Sequence, residues 1–394
     1  SAVLLSSLPF LGSLLFAVSA ASHTPILTPM YILMVTGRIL LAFGETPLCF
    51  VQGRVVAHWF SDESLLPLSF IILSQRGGSM LTFFLTATIA NDIGFGVAIW
   101  TGTFLCGLGV LSACCLAIVL RKGQMDQATK DTDISQTTLA DIKAVPRKFW
   151  IHVCMVALLY GQIISFHANL PEYLVIEYGF SATSSSYITG SAVLPFIVGP
   201  LIALALNKID CIGVLMTCAA ATMIPVFSLL GFSPSVHPLI LTITLGIANI
   251  VTELGMWQVA VLLLPRARFG TVTGIMYLVR NTVIGLSLLL DGYLLQKQDK
   301  QGISRPLRGY RDFFLALVIM TSLSVLCGIL LNVVDITDTC AINQRIGRWK
   351  SSTDENIRLL HTGTSTDISD KNSPVVGSTD TDDAQSERST EQRE

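Results

Sequence analysis

Residues 95–120 read FGVAIWTGTFLCGLGVLSACCLAIVL, a run of 26 residues without a charged side chain. A helix rises about 1.5 Å per residue, so this segment is long enough to cross the roughly 30 Å hydrocarbon core of a bilayer. A helix also closes its backbone hydrogen bonds internally, which lipid requires. We therefore predict a transmembrane helix here. Nine further long apolar segments, some of them containing a few charged residues, are also predicted to be transmembrane helices: 1–21, 30–58, 67–90, 149–170, 182–206, 211–232, 237–264, 268–295 and 312–334.

The composition agrees with a polytopic all-α membrane protein. Of the 394 residues, 51% are hydrophobic and 13% are charged, and the mean hydropathy is +0.63. Soluble domains carry about 25% charged residues, so this chain has too little charge to cover a water-facing surface. The net charge of −2 is uninformative about nucleic-acid binding, and no basic stripe suggests it. The nine cysteines lack metal-ligand spacing. We expect no enzymatic activity, metal or cofactor.

Lysine and arginine in the loops predict the orientation. Loops 22–29, 90–95, 171–181 and 232–237 contain neither residue, whereas the loops on the other side of the spans are basic. The basic side is therefore predicted to be cytosolic. Loop 296–311 is basic on the predicted exterior side and disagrees with this assignment.

The longest polar joint, 121–148, is predicted to be a central cytosolic loop. It separates four predicted helices in 1–120 from six in 149–334. Many transporters are built as two six-helix halves. By comparison, the first half of this chain is predicted to be incomplete and to hold helices 3–6 of twelve. We therefore expect about ten of twelve helices and a sequence that begins inside a longer protein. Residues 335–394 are rich in Ser, Thr and Asp and are predicted to be a disordered cytosolic tail.

Five charged residues lie well inside predicted spans: Arg38, Glu45, Arg76, Glu253 and Arg280. Charge at this depth is costly and is a functional candidate by default. Arg38 and Glu45 are two helical turns apart and point to the same side. A facing Glu and Arg can bind the ammonium and carboxylate of a zwitterion. We predict that Glu45 binds a substrate ammonium or cationic side chain and that Arg76 binds its carboxylate. Glu253 and Arg280 are predicted to be secondary contacts or a gate pair.

The same charges have a structural interpretation. Glu45 and Arg76 could neutralise each other as a buried pair, and so could Glu253 and Arg280. Either pair would then only stabilise the helix bundle.

Four other polar residues lie nearer the span ends. Arg54 and Asp291 can extend to the interface or face a vestibule, so we predict a minor part for them. His167 and Asn169 could face a cavity, although a packing role is favoured.

Several short segments resemble a known family. They are Gly37-Arg38, Gly44-Glu45-Thr46, Arg76-Gly77-Gly78-Ser79, Glu177-Tyr178-Gly179-Phe180-Ser181 and the stretch 265–274. In this order and spacing they resemble lysosomal dipeptide transporters of the major facilitator superfamily. The resemblance covers essentially all of 1–334, taken as helices three to twelve.

The resemblance implies uniport of dipeptides, cationic ones preferred, from the lysosome lumen to the cytosol. It also implies an acidic site at Glu45 and a carboxylate-binding arginine at Arg76. The family works with a heavily glycosylated single-span lysosomal membrane protein as accessory subunit, and a homodimer is a further possible assembly. The absence of Asn-x-Ser/Thr sequons fits a transporter that such a partner shields.

The tail contains an acidic dileucine pattern, Glu355-Asn356-Ile357-Arg358-Leu359-Leu360. Glu355, Leu359 and Leu360 match an endolysosomal sorting signal, which requires accessible sequence. The predicted location is the lysosomal membrane, with the plasma membrane or another endomembrane as the alternative.

We predict a carrier whose substrate binds at mid-membrane between two halves that rock against each other. One alternative is a proton-coupled carrier of another small organic solute, in which Glu45 or Glu253 takes up and releases a proton. The other is a non-transporting receptor-like or scaffold protein.

Overall fold

The fold was obtained as a computed structural model. It describes residues 2–21, 28–59, 65–122, 145–206, 208–233, 236–264, 269–299, 307–338 and 340–344. Regular structure in this part of the chain is entirely helical. The side chain of Arg54, residues 123–144 of the predicted central loop, and the sorting pattern with Glu355, Leu359 and Leu360 lie outside the described residues.

The described residues form twelve α-helices, three of them short pieces of interrupted spans. Their bounds are α1 Ala2–Ala21, α2 Thr28–Trp59, α3 Leu65–Leu81, α4 Ala87–Asp92, α5 Phe95–Lys122, α6 Arg147–Tyr178, α7 Ala182–Ser191, α8 Gly199–Leu206, α9 Ile212–Phe232, α10 Pro238–Leu263, α11 Phe269–Asp299 and α12 Leu307–Thr337.

Among the described residues, nine segments are long and apolar enough to cross a bilayer. A tenth is interrupted by a π-helical turn, Thr82–Thr86, which joins α3 to α4 in one continuous helix. The ten predicted spans thus all occur as helices.

Two local breaks interrupt the spans 67–90 and 182–206. The span 182–206 is divided by a 3₁₀ turn, Leu194–Val198, because Pro195 and Pro200 cannot donate the backbone hydrogen bonds of a continuous α-helix. In the π turn, the Phe83 carbonyl accepts a hydrogen bond of 2.6 Å from Ser186 Oγ of α7. The wider π turn leaves such a carbonyl available, as π-helical turns at functional sites often do.

One predicted loop is wrong. Residues 171–181 were expected to be an exterior loop, but α6 continues through Pro171 to Tyr178. It ends where Gly179 adopts a left-handed conformation with φ of 65°, and its N–H bonds to the Leu174 carbonyl. Glycine favours this helix-terminating conformation because it has no Cβ.

The C-terminal helices form the densest core. α6 packs against α11 and α12, and α9 packs against α10 and α12. Tyr173 of α6 lies 4.8 Å from the Phe314 ring of α12 and donates a hydrogen bond to the Leu230 carbonyl of α9. Aromatic side chains supply much of the buried area there: Phe149, Phe166, Phe196, Phe227, Phe313 and Phe314.

The N-terminal helices α1 and α2 approach closely at glycines. A Cβ on Gly37 would lie 2.7 Å from the Gly12 carbonyl oxygen, and one on Gly44 would overlap the Pro9 ring. Small residues allow such backbone contact in lipid. The glycines next to Arg38 and Glu45 therefore pack directly against α1.

The end of the last helix differs from the predicted domain boundary. Residues 335–394 were predicted to be a disordered tail, but α12 continues to Thr337 and residues 340–344 pack against the bundle. Asp335 is fully buried, pairs with Lys148 of α6 at 3.1 Å, and accepts hydrogen bonds from the backbone N–H groups of Ile342 and Asn343. The packed structure therefore extends ten residues beyond position 334.

Candidate functional site

An ion pair between Arg76 of α3 and Glu253 of α10 joins the two parts of the chain at mid-helix. Arg76 donates from Nε at 3.0 Å and from Nη2 at 2.6 Å, both to Glu253 Oε2. The side chains are 17% and 5% exposed. Removing one member of such a pair would leave an uncompensated charge in an apolar region, so each depends strongly on the other.

Aromatic rings surround the two arginines of this region. The Arg76 guanidinium lies 5.3 Å from the ring centre of Phe196, which the 3₁₀ turn brings to this position, and 6.0 Å from that of Tyr160. Arg280 lies 4.5 Å from the Tyr160 ring and 3.8 Å from the Tyr277 ring. Both guanidiniums therefore share Tyr160 and are held by the attraction between a cation and an aromatic face.

Arg280 has no carboxylate partner among the described residues. Its hydrogen bonds run from Nε and Nη2 to Asn281 Oδ1, both at 3.3 Å. Within the described residues, Glu253 is thus the one carboxylate that pairs with either arginine, and it pairs with Arg76. This leaves Arg280 able to receive an external anion.

Glu45 on α2 is exposed and forms no ion pair within the described part of the chain. One turn further, the Cys49 thiol accepts a hydrogen bond of 3.3 Å from Gln75 Nε2. The charges of Glu45 and Arg280 both act on this thiol, so α2 and α11 present opposite charges to one region. Next to Arg76, a side chain added at Gly77 or Gly78 would meet open space.

The structure does not bring Arg38 to this region. Its guanidinium lies 4.5 Å from the Phe16 ring of α1 and lines an open cavity of about 400 Å³ together with Tyr31 and Met34. Arg38 and Glu45 each follow a glycine that packs on α1, so both point about 100° away from that contact.

The pairing predicted within the second half is not the one found. Glu253 bonds to Arg76, which is 177 residues away, and not to Arg280. Arg76 is likewise paired with Glu253 and not with Glu45. The sequence interpretation missed Tyr160, Tyr277 and Phe196, because aromatic residues in apolar spans carry no signal that separates a cation-binding ring from a packing ring.

The comparison with protein families matches residues 3–288 to the model of the Major Facilitator Superfamily. The chain belongs to this superfamily. Its members are transporters and not enzymes, so the function class of this multi-pass membrane protein is secondary transport of a small molecule across a lipid bilayer.

A solved structure agrees with the superfamily fold. The chain is similar to FucP, a Major Facilitator Superfamily transporter crystallised in the outward conformation, with a TM-score of 0.53 and 14% sequence identity over 82% of each chain. Identity this low supports the fold alone. A search of the curated proteins finds no match.

The position of Asp291 also differs from the one predicted from the sequence. It was expected to extend to the interface or a vestibule, but it is 4% exposed and faces α6, where Asn169 Nδ2 donates a hydrogen bond of 3.2 Å to its Oδ2. Asn169, for which packing was favoured, therefore binds a buried carboxylate. The sequence feature that could have indicated this buried position is an acidic residue inside an apolar run. Hydropathy alone, however, assigns this residue to the end of a span.

The described residues contain no group of three or more His, Cys, Asp or Glu side chains that could hold a metal ion.

Proposed function

We propose that this protein carries small zwitterions of the dipeptide class through a mid-membrane site between its two halves. The observation that carries the proposal is the charge distribution around Tyr160. Glu253 neutralises Arg76, whereas in the described part of the chain Arg280 has no carboxylate partner and Glu45 on α2 has no cationic one. A ligand with one carboxylate and one ammonium complements this arrangement without adding net charge.

The substrate carboxylate binds on the arginine side of the site. Arg280 offers a guanidinium oriented by two tyrosine rings, and the planar fork of an arginine suits a carboxylate. Arg76, which the sequence analysis assigned to the same carboxylate, becomes available when the substrate displaces Glu253. Glu45 binds the ammonium or a cationic side chain, as the exposed acid on α2.

The Arg76–Glu253 pair acts as a gate between the halves. It connects α3 in the first half to α10 in the second, so rocking of the halves must stretch or break it. A substrate carboxylate that competes for Arg76 weakens the pair and thereby couples binding to the movement. This role agrees with the predicted gate function of Glu253, with Arg76 in place of Arg280 as partner.

The resemblance to lysosomal dipeptide transporters supports the finer points of the proposal. These are uniport of dipeptides, with cationic ones preferred, from the lysosome lumen to the cytosol, and an accessory glycosylated single-span subunit. The sorting pattern at Glu355, Leu359 and Leu360 supports delivery to the lysosomal membrane. A homodimer is the alternative assembly.

The test uses counterflow of a labelled dipeptide, alanyl-alanine, whose N-terminus is its one ammonium group, in vesicles containing the full-length protein. The competitors are the unlabelled dipeptide, its N-acetylated form and its C-amidated form. In the wild type, loss of either charged end should weaken competition about tenfold or more, since a charge-assisted hydrogen bond contributes about 1.5–3 kcal/mol.

Each variant should remove one of these penalties. Glu45→Gln should abolish the discrimination against the N-acetylated competitor, and Arg280→Gln the discrimination against the amide. Asp92→Asn, an exposed acid at the end of α4, is the matched control and should keep both. Absence of dipeptide counterflow, or an N-acetyl penalty that persists in Glu45→Gln, would overturn the proposal.

A further inference from the structure

A polar site separate from the arginine region is buried between α6 and α11. Its centre is the Asp291 carboxyl group, 4% exposed. Asn169 Nδ2 donates to Asp291 Oδ2 at 3.2 Å and also to the Ser165 carbonyl at 2.9 Å. The fully buried Ser165 hydroxyl lies beside the carboxyl, and its Oγ has no hydrogen-bond partner that meets normal geometry.

This site is distinct from the proposed substrate site. Asp291 lies eleven residues after Arg280 on the same helix, which is three turns or about 16 Å along the axis. It is eight residues from the end of α11, which the alternation of the spans places on the predicted exterior side, although loop 296–311 at that end is basic.

The groups around Asp291 supply no positive charge in the described part of the chain. On α6, the residues that act on the carboxyl are Ser165 and Asn169, both uncharged. The nearest titratable groups of α6 are engaged elsewhere. His167 Nδ1 contacts the Ile163 carbonyl while its ring lies near Phe83, and Glu172 lies beside the Tyr310 hydroxyl.

The other elements do not change this balance. On α12, which also packs against α11, the charged residues nearest this level are Arg311 and Asp312, and both are exposed at the start of the helix. On α11 itself the charged residues nearest along the helix are Lys297 and Asp299, whose side chains lie outside the described residues, and then Arg280. The carboxyl therefore faces one amide donor and one hydroxyl, in the apolar interior of a bundle.

Such a place favours the neutral acid more than water does, because burial penalises the ionised form. Asn169 and Ser165 can each donate one hydrogen bond to the carboxylate and offset part of this penalty. The neutral acid fits the site, because its O–H can donate to the unpartnered Ser165 Oγ while Asn169 still donates to the other oxygen.

We propose that Asp291 is a proton-binding site, reached from the exterior side and separate from the substrate site. Its proton joins α6 to α11 through the Asp291–Ser165 contact. Loss of the proton leaves a buried charge that loosens the exterior ends of these helices. The proposal does not depend on the identity of the transported solute.

The experiment is an infrared pH titration of the purified full-length protein in lipid vesicles, which reads the carbonyl band of protonated carboxylic acids without any substrate. The wild type should show a buried-acid band that disappears as the pH rises. Asp291→Asn, which keeps the shape of the side chain, should lack this band. Asp312→Asn removes an exposed acid at the start of α12 and should keep it.

A second variant gives a shift in place of a loss. Asn169→Ala removes the amide that favours the ionised carboxylate, so the band should persist to higher pH than in the wild type. This variant decides the question if Asp291→Asn cannot be purified as a folded protein. The thermal midpoint should also fall with rising pH in the wild type and lose this slope in Asp291→Asn.

Three results would overturn the proposal. The first is a wild-type band that remains in Asp291→Asn, and the second is a band that Asn169→Ala does not move. The third is stabilisation of the wild type by sodium at constant pH that Asp291→Asn abolishes, since this would assign the site to a metal cation. None of these outcomes depends on whether the protein carries dipeptides.

Discussion

Breaking the ion pair between Arg76 and Glu253 should destabilise the protein unequally, depending on which partner is removed. Both hydrogen bonds of the pair end on Glu253 Oε2, at 3.0 and 2.6 Å, and Glu253 is 5% exposed. Arg76→Gln leaves this buried carboxylate without a cation. Glu253→Gln leaves Arg76 without an anion but still between the rings of Phe196 and Tyr160.

The cost of Arg76→Gln depends on pH. Removal of one partner from a buried pair costs about 3–5 kcal/mol. The abandoned carboxylate can instead take up a proton, which costs a glutamate about 3.7 kcal/mol at pH 7 and about 1 kcal/mol at pH 5. The loss of stability is therefore limited to about 3.7 kcal/mol at pH 7 and should fall by more than half at pH 5.

The cost of Glu253→Gln should be smaller at pH 7. Each aromatic face contributes about 0.5–2 kcal/mol to holding a guanidinium, and Arg76 keeps both rings and is 17% exposed. A guanidinium remains charged at both pH values, so this loss should not change between them.

The assay is thermal unfolding of the purified protein in detergent, without substrate, at pH 7 and pH 5. At pH 7 the midpoint should be lowest for Arg76→Gln and higher for Glu253→Gln. Among the variants it should be highest for the double substitution, which removes both charges of the pair. Arg147→Gln, at the exposed start of α6, is the matched control and should stay close to the wild type.

Two results would refute this reasoning. An equal deficit of Arg76→Gln at pH 7 and pH 5 would mean that Glu253 is not the group left unpaired. A larger loss for Glu253→Gln than for Arg76→Gln would mean that the rings do not hold the arginine.

Two further predictions concern packing. Asp335→Asn should cost about 3–5 kcal/mol of stability because this carboxylate is fully buried and paired. Asp338→Asn, whose side chain is 62% exposed, should cost less than about 1 kcal/mol. Equal losses of the two variants in thermal unfolding would contradict the burial argument. Gly246→Ala places its Cβ about 2.9 Å from the Ala192 carbonyl carbon and should lower the thermal midpoint and the yield of folded protein. Gly102→Ala meets open space and should leave both unchanged. An unchanged midpoint in Gly246→Ala would refute the close contact of α7 and α10.

Hydropathy predicted the helices themselves with small errors. The span predicted at 95–120 is α5, Phe95–Lys122, because lipid requires a long apolar segment to satisfy its own backbone. Ends were less accurate. The predicted end of the fifth span at 170 falls eight residues short of Tyr178, because a helix that leaves the hydrocarbon core can continue with polar residues.

The candidate charges were recognised from sequence, but not their partners. Glu253 and Arg76 were both selected as costly intramembrane charges, yet the pair they form joins residues 177 positions apart. Membrane helices that are apolar on most sides carry little periodic signal, so the sequence does not say which face meets which neighbour.

The amino-acid sequence by itself determined that the chain crosses a membrane many times and which few charges it carries into the bilayer, because transfer of apolar and charged groups to lipid depends on composition. Only the tertiary structure decided what those charges face. It pairs Arg76 with Glu253, holds Arg280 between two tyrosine rings, and buries Asp291 against α6 instead of at an interface. The reason is that these contacts depend on the rotation and height of each helix, which side-chain packing between distant segments sets.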